Sequence, residues 1–402
     1  MAKQAIKKKD VSAFDIKSIK NEIGIGVETS KDIKKSNSDK PLEWITLPEA
    51  YQEAVKLPGI PMGYLTLCRG WSDTGKSTLK NCIIASAMRM GIIPVIYETE
   101  GNFDFQHAVD CGMEAEPVYG EVEVVDEETG EIRVETQVIN YDGNFIYFDN
   151  DLLAKTYGNR DYDTSTNKKE YRTYPVIEDI AYSMNCLLDM QDEGKLNKPL
   201  LFIWDSIGTV TSWKSYKSKA GGNPMNEAAA LTNAFNIITN VRIPNSRKMA
   251  NPYTNTMFCV NKIWNDGMNS MNGLPSLELK GGKSMYFSCR LLIHVGGQAK
   301  ASTKKLKATL KGEEYKYGMV TKIEIVKNHL PTPYNVTYKG EICCVHSGII
   351  GVDDIDKYKK EQIPLIMERL KANTDVDFSN VDESDIKLSL IHISEPTRQE
   401  AI

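Results

Sequence analysis

The segment Gly70–Ser77 constrains the fold of this chain more than any other feature of the sequence. It reads Gly-Trp-Ser-Asp-Thr-Gly-Lys-Ser and fits the pattern G-x-x-x-x-G-K-[ST]. The short apolar run Tyr64–Cys68 precedes it, and apolar residues at helical spacing follow over Thr78–Met90. Glycines in such a loop let backbone amides close around phosphate groups, and the following helix directs its N-terminal dipole at the same anion. The sequence therefore predicts a strand, a phosphate-binding loop and a helix in succession.

Two residues of this loop have specific expected roles. Lys76 is predicted to neutralise the β and γ phosphates of a nucleotide, and the Ser77 hydroxyl is predicted to ligate Mg²⁺. The alternative is a glycine turn with a solvated lysine. The residues expected to contact the nucleotide in and beside the loop are Gly70, Trp71, Ser72, Asp73, Thr74, Gly75, Lys76, Ser77 and Thr78.

Acidic residues follow two other apolar runs. Asp205 comes directly after Leu200–Trp204 and is expected to hold Mg²⁺ through water; the alternative is a helix cap or turn residue. Glu98 and Glu100 lie at the end of Ile92–Tyr97, and strand alternation would point both carboxylates to the same side. Hydrolysis needs a group that orients and deprotonates water, so one of them is a candidate base. Solvated loop carboxylates are the alternative.

The order of apolar segments predicts an α/β fold, in which a mainly parallel sheet carries helices on both faces. The predicted strands after the loop are Ile92–Tyr97, Leu200–Trp204 and Thr256–Val260, with antiparallel strands added at Ile293–Val295, Thr321–Val326 and Glu341–Val345. The predicted helices between them are Val176–Met190 and Asn226–Val241.

The domain boundaries follow from shifts in composition. Residues 1–41 are polar and predict an N-terminal arm, and 42–350 are expected to form the core that contains the glycine loop. Residues 351–387 are expected to form a short helical segment over Asp356–Leu370, kinked at Pro364. An insertion is expected around 115–174, with an acidic hairpin that turns near Thr129-Gly130 and a polar, Tyr-rich loop. Residues 388–402 are set apart, because Leu388–Arg398 resembles translated sequencing-adapter read-through; the natural C-terminus is then expected to be missing or truncated.

Composition limits the functional classes. The net charge of −5 over 402 residues is too small to steer the whole molecule towards DNA, so a nucleic-acid site must be a local patch. No apolar run reaches the ~18 residues of a membrane span, and the basic start lacks the apolar segment of a secretory signal. The eight cysteines contain no C-x-x-C pair and predict buried thiols in a reducing compartment. We therefore expect a cytoplasmic protein without a membrane partner.

Six segments in the same order resemble the RecA family of ATP-dependent DNA recombinases, and phage recombinases of this family most of all. Together they cover roughly residues 45–350. The segments are Ile60–Gly63 before the loop, Glu98–Glu100 followed by Asp104, Asp205-Ser206, Phe258–Ile263, Gly281–Phe287 and Val326–His329.

The resemblance implies ATP and Mg²⁺ as cofactors, a RecA-type ATPase core over 42–350, an N-terminal arm over 1–41 that packs on a neighbouring subunit, and particular residue roles. Glu100 would be the catalytic glutamate, acting with Lys76, and Asp104 would contact adenine. Lys327 would reach ATP across the subunit interface. Lys262 stands where the family usually has a glutamine that senses the γ-phosphate, and His329 replaces a second lysine of the interface.

Two loops are expected to form the DNA surface. Thr211–Lys219 carries three lysines beside Trp213 and Tyr216, which suits phosphate contact with base stacking, and Asn265–Lys280 is a Gly-, Asn- and Met-rich loop expected to order on DNA. Solvated lysines are the alternative. Lys300–Lys316 is expected to form a second basic hairpin for duplex DNA. The residues expected to contact DNA are Trp213, Lys214, Lys217, Lys219, Asn265, Met268, Gly281 and Gly282.

The sequence thus predicts an ATP-dependent DNA recombinase that forms a homo-oligomeric filament on single-stranded DNA and exchanges strands with double-stranded DNA. A RecA-core ring helicase is an alternative, but it would need an arginine finger, and Lys327-Asn328-His329 favours the recombinase. A second alternative is an ATP-gated DNA-binding filament, or mediator, with little hydrolysis.

Overall fold

The computed structural model describes residues 38–125, 132–162, 171–218, 224–266, 276–279, 284–297, 303–310, 313–361, 364, 368 and 387–392. Residues 1–37 of the predicted arm, the predicted hairpin turn at Thr129-Gly130 and most of the segment after residue 361 lie outside them, including the expected kink beside Pro364.

The strands of the described residues are β1 Trp44–Thr46, β2 Gly59–Pro61, β3 Leu65–Gly70, β4 Ile93–Glu98, β5 Glu116–Val125, β6 Ile132–Asp142, β7 Ile146–Phe148, β8 Leu200–Ile207, β9 Thr256–Asp266, β10 Ser276–Leu279, β11 Leu291–Val295, β12 Lys304–Leu310, β13 Glu313–Asn328, β14 Lys339–Val345, β15 Gly348–Ile350 and β16 Lys387–His392. The helices are α1 Glu49–Val55, α2 Lys76–Arg89, α3 Phe105–Asp110, α4 Asn150–Tyr157, α5 Ile177–Asp192, α6 Trp213–Ser218, α7 Pro224–Ile237, α8 Ile243–Asn245, α9 Ser284–Ser288 and α10 over 355–361. A π-helical turn, Ile238–Arg242, joins α7 to α8.

One large mixed sheet organises the chain. Its strand order is β15-β14-β13-β11-β3-β9-β8-β4-β7, and the strands from β11 to β7 are parallel neighbours. The strands β13, β14 and β15 continue the sheet antiparallel beyond β11. The predicted α/β class with a mainly parallel sheet is therefore confirmed.

Helices cover both faces of this sheet because its central strands are apolar on both sides. All eight residues of β8 are buried. On one face, Leu79 and Ile83 of α2 pack in the cluster that contains Ile203. On the other face, Ile180 of α5 and Phe235 of α7 pack in the cluster that contains Phe202. The central parallel strands thus lie between two packed layers of helices.

Several strands differ from the prediction. Strand β11 pairs parallel with β3 as well as antiparallel with β13, so its expected antiparallel character holds on one side only. The expected loop Asn265–Lys280 is wrong at its ends, because β9 continues to Asp266 and pairs with β10. Strand β10 alternates polar and apolar residues, with Leu277 and Leu279 apolar, but four residues beside a Gly-, Asn- and Met-rich segment are too few to indicate a strand.

The region expected as an insertion divides into two parts. Strands β5 and β6 form the acidic hairpin as a separate two-stranded sheet, in agreement with its prediction. Strand β7, in contrast, lies parallel to β4 in the large sheet, and α4 follows it. Three residues are too few to show a period, so no pattern in the sequence indicated β7. The excursion from the core is therefore shorter than 115–174.

The C-terminal part of the described chain adds a lysine-rich hairpin. Strands β12 and β13 pair antiparallel, as expected for the segment Lys300–Lys316. The short strand β16 pairs with β12 and includes the first residues of the segment that resembles adapter sequence. An artefactual origin of that segment stays a prediction.

Seven of the eight cysteines are buried and all are free thiols, as predicted; Cys186 is half-buried. No helix within the described residues is long and apolar enough to cross a bilayer.

Candidate active site

The glycine loop Gly70–Ser77 connects β3 to α2 and is tightly enclosed. A Cβ atom on Gly70 would lie 2.1 Å from the carbonyl oxygen of Val295. Gly75 has φ of +97°, and a Cβ atom there would lie 2.5 Å from the Sγ atom of Cys344. Both positions therefore require glycine. The absence of side chains at Gly70 and Gly75 lets the loop backbone fit closely against its neighbours.

Lys76 begins α2 and lies across this loop. Its side chain is buried, and its Nζ atom donates to the carbonyl oxygen of Trp71 at 2.5 Å. The Thr74 hydroxyl donates to the same oxygen at 2.8 Å. Burial lowers the pKa of Lys76, although nearby acidic groups oppose this shift. A charged phosphate oxygen is a stronger hydrogen-bond acceptor than the carbonyl oxygen of Trp71. The Lys76 ammonium is therefore suited to bind an anion in the loop in place of that carbonyl.

Register in the sheet brings the other predicted residues to the same edge. Gly70 is opposite Lys262, and Glu98 is opposite Asp205. The carboxyl ends of β3, β9, β8 and β4 therefore meet beside the glycine loop. In parallel α/β sheets this edge is where ligands bind.

Glu100 is held by two neighbours at this edge. Its carboxylate forms an ion pair with Lys262, Oε2 to Nζ 2.7 Å, and accepts a hydrogen bond from the Ser206 hydroxyl. Burial alone would raise the pKa of Glu100, but the hydrogen bonds from Lys262 and Ser206 bring it below its ordinary value. The carboxylate is consequently ionised at neutral pH, as a general base must be.

Glu98 has different surroundings, although both glutamates were expected to point to the same side. It is fully buried, and its Oε2 atom lies 3.3 Å from Nζ of Lys80. Its Oε1 atom accepts a hydrogen bond from the backbone N–H of Glu100 at 2.9 Å. Burial raises the pKa of Glu98 despite the nearby ammonium. Glu98 therefore belongs to the interior, and Glu100 is the carboxylate that faces the loop edge.

Ser77 and Asp205 supply oxygen ligands of the kind that Mg²⁺ prefers. Ser77 lies in the first turn of α2 with its side chain exposed. One oxygen of Asp205, Oδ2, is 2.5 Å from Nζ of Lys80, so the other is the atom suited to a metal-bound water. The donor set fits an ion that is shared with phosphate oxygens. Within the described residues there is no group of three or more His, Cys, Asp or Glu side chains that could hold a metal alone.

Three further residues that the resemblance implies have other contacts within this subunit. Asp104 caps α3, where it accepts a hydrogen bond from the backbone N–H of His107 at 2.9 Å. Lys327 is buried and donates to the carbonyl oxygen of Tyr286 at 2.5 Å. His329 lines a surface cavity of about 510 Å³ together with Arg290 and the segment 39–43. None of these positions tests the role that the resemblance implies.

Trp213 does not match its predicted role in this conformation. It was expected to stack on bases, but only 6% of it is exposed, and its ring stacks on Tyr216 at a centroid distance of 5.6 Å. Lys217 lies over that ring, 4.8 Å from its centroid, whereas Lys214 is exposed. Stacking and cation–π contacts within the fold thus occupy the Trp213 ring, which the sequence suggested for DNA.

The other residues predicted to contact DNA are only partly described. Asn265 lies in β9, where its backbone is opposite Leu277 of β10. The predicted residues outside the described parts of the chain are Lys219, Met268, Gly281 and Gly282.

Sequence reasoning missed Lys80 and Arg172, which are both buried cations. Lys80 interrupts the apolar residues of α2 four positions after Lys76, and this spacing places both lysines on one face of the helix. A lysine at a position expected to be buried was the available signal. Arg172 lies in a polar segment without periodicity, so nothing local marked it.

Comparison with known families does not extend this description: no family model matches the chain, and no curated protein is significantly similar to it.

Proposed function

We propose that this protein is an ATP-dependent DNA recombinase with a RecA-type core. The single observation that supports this most strongly is the meeting of the glycine loop, Asp205, Glu100 and Lys262 at the carboxyl edge of one parallel sheet. The edge combines a phosphate-binding backbone, a metal-binding carboxylate and an ionised base. The ordered resemblance of six segments to recombinases extends the proposal from ATP hydrolysis to strand exchange.

In the proposed reaction each group has a defined task. Lys76 would leave the carbonyl oxygen of Trp71 and pair with the phosphates, and Ser77 and Asp205 would hold Mg²⁺. The metal ion, when bound, neutralises charge that develops on the phosphate oxygens. Glu100 accepts a proton from the attacking water. Lys262 must leave Glu100 to contact the γ-phosphate, so phosphate binding and release of the base are coupled.

The proposed site is completed by a second subunit. Lys327 of the neighbouring subunit would supply a further cation, with His329 beside it, as in the family that the segment resembles. In one subunit alone the Lys327 ammonium is satisfied by carbonyl oxygens around Tyr286, so assembly has to exchange these contacts for phosphate. Because the cation is contributed in trans, ATP binding and filament assembly would favour each other.

Replacing Lys76 with Ala is expected to weaken ATP binding about 10–100-fold. A charge-assisted hydrogen bond contributes roughly 1.5–3 kcal/mol, and about 1.4 kcal/mol corresponds to a factor of ten. Titration with a fluorescent ATP analogue measures the change. Lys195→Ala is the matched control. Lys195 precedes β8 and thus lies towards the amino ends of the parallel strands, away from the glycine loop. Unchanged affinity in Lys76→Ala would contradict the phosphate assignment.

Lys214 is the described lysine of the first predicted DNA loop that is most open to solvent, and we expect it to contact a phosphate. Lys214→Ala should weaken binding to single-stranded DNA for all sequences alike. It should also reduce the slope of log affinity against log salt by roughly 0.7. Fluorescence anisotropy over a salt series gives both values, and Lys195→Ala should match the wild type. An unchanged slope would remove Lys214 from the DNA surface.

A strand-exchange assay with purified protein, ATP and homologous DNA tests the function as a whole. The recombinase should form joint molecules with ATP and none without nucleotide. Electron microscopy of the same mixture should show helical filaments, whereas closed rings would favour the helicase motor. Protein that stays monomeric with Mg²⁺, ATP and single-stranded DNA would contradict the proposal.

A further inference from the structure

Lys80 is a buried ammonium group directly beside the carboxylate proposed to bind Mg²⁺. Its Nζ atom lies 2.5 Å from Oδ2 of Asp205 and 3.3 Å from Oε2 of Glu98. It also lies 4.8 Å from the centre of the Phe103 ring. The relative exposures of Lys80, Glu98 and Asp205 are 2%, 0% and 6%.

The glycine-loop motif does not require this lysine. The motif ends at Ser77, and Lys76 already supplies the cation for phosphate. Burying three charged groups is costly even when they are paired, and hydrophobic side chains at all three positions would avoid that cost. The arrangement therefore calls for a role at the metal-binding edge in addition to packing.

Charge and geometry together indicate that role. Glu98 and Asp205 are opposite each other on neighbouring strands, and two such carboxylates would form an anionic pair attractive to a divalent cation. The ammonium of Lys80 cancels one of the two negative charges. It also occupies one oxygen of Asp205 and so leaves a single oxygen for the metal side.

We propose that Lys80 is a positioning residue that orients Asp205 and keeps the Glu98–Asp205 pair from binding a divalent cation when nucleotide is absent. Mg²⁺ then binds only together with phosphate oxygens, as an ATP complex. The inference rests on the proposed function for the identity of the metal site. Its test uses metal binding without nucleotide, so it does not depend on ATP hydrolysis.

The experiment measures Mn²⁺ binding by electron paramagnetic resonance in the full-length protein without nucleotide. Lys80→Met raises the negative charge of the cluster by one unit, and the Mn²⁺ affinity should rise at least about 10-fold above wild type. Lys80→Met/Glu98→Gln restores the wild-type charge and should return the affinity to near the wild-type value. Glu98→Gln alone should bind Mn²⁺ most weakly. Equal affinities across the four proteins would overturn the inference.

Two further comparisons keep the test decisive. If Lys80→Met does not fold, the same effect is tested by comparing Glu98→Gln with Lys80→Met/Glu98→Gln, which carry a lower negative charge. The double variant should bind Mn²⁺ more tightly than Glu98→Gln, and equal Mn²⁺ affinities would overturn the inference. Lys80→Arg keeps the charge and should bind Mn²⁺ as weakly as the wild type. A purely structural ion pair would change the unfolding temperature in these variants without this order of Mn²⁺ affinities. Failure of the wild type to bind ATP would refute the proposed function and leave the affinity order intact.

Discussion

Glu100→Gln is expected to reduce the rate of phosphate release from ATP by about 10²–10⁴-fold, the range for loss of a general base. The amide keeps the shape of the side chain but cannot accept a proton from water. The effect should be specific, because only the carboxylate of Glu100, not that of Glu98, faces the loop edge in the neighbourhood of Lys262 and Ser206. Phosphate release is measured with single-stranded DNA at saturating ATP.

The same variant separates the recombinase from its alternatives. It should still form ATP-dependent filaments, since the groups proposed to bind the phosphates and Mg²⁺ are unchanged. Glu193→Gln is the control, because that exposed carboxylate pairs with exposed Lys195 and lies towards the amino ends of the parallel strands, away from the glycine loop. A wild type that forms filaments but releases phosphate no faster than Glu100→Gln would favour the mediator with little hydrolysis. An active Glu100→Gln would exclude Glu100 as the base.

The parts of this molecule that the sequence predicted are those set by local pattern. The strands β4 and β8 could be located because they are buried on both faces and form continuous apolar runs. The glycine loop could be located because phosphate binding requires its glycines and lysine at a fixed spacing. The positions of Asp205 and Glu100 at one edge then followed from the parallel order of the strands.

The parts that escaped prediction depend on tertiary contacts. Strand β7 is too short to show a period and exists because β4 offers an open edge. Trp213 was assigned to DNA from its lysine-rich neighbours, yet it is buried against Tyr216 and the guanidinium of Arg172, 5.0 Å from its ring centroid. Local composition cannot distinguish an aromatic side chain that faces a ligand from one that faces its own fold. The partners of Lys80 lie 18 and 125 positions away in the sequence, beyond the reach of any motif.

Arg172 forms the most completely buried ion pair of the described chain with Asp179, and both side chains are fully enclosed. The pair is bidentate, with Nη1 to Oδ2 at 2.5 Å and Nη2 to Oδ1 at 2.8 Å. Nη2 also donates to the carbonyl oxygen of Tyr157 at the end of α4, and the Tyr162 hydroxyl donates to Asp179. The pair thus joins α4, the first turn of α5 and the region around Trp213.

Arg172→Met should therefore lower the free energy of unfolding by about 3–5 kcal/mol, because it leaves the Asp179 carboxylate buried without its cation. Urea unfolding gives this value from the shift of the midpoint, provided that the slope is unchanged. Arg133→Met, on the exposed face of the acidic hairpin, is the matched control and should change stability by less than about 1 kcal/mol. A loss in Arg172→Met as small as in the control would mean that Asp179 is stabilised by Tyr162 and the backbone alone. A loss in the expected range, together with weaker binding of single-stranded DNA, would show that this ion pair also positions Trp213 and the predicted DNA loop Thr211–Lys219.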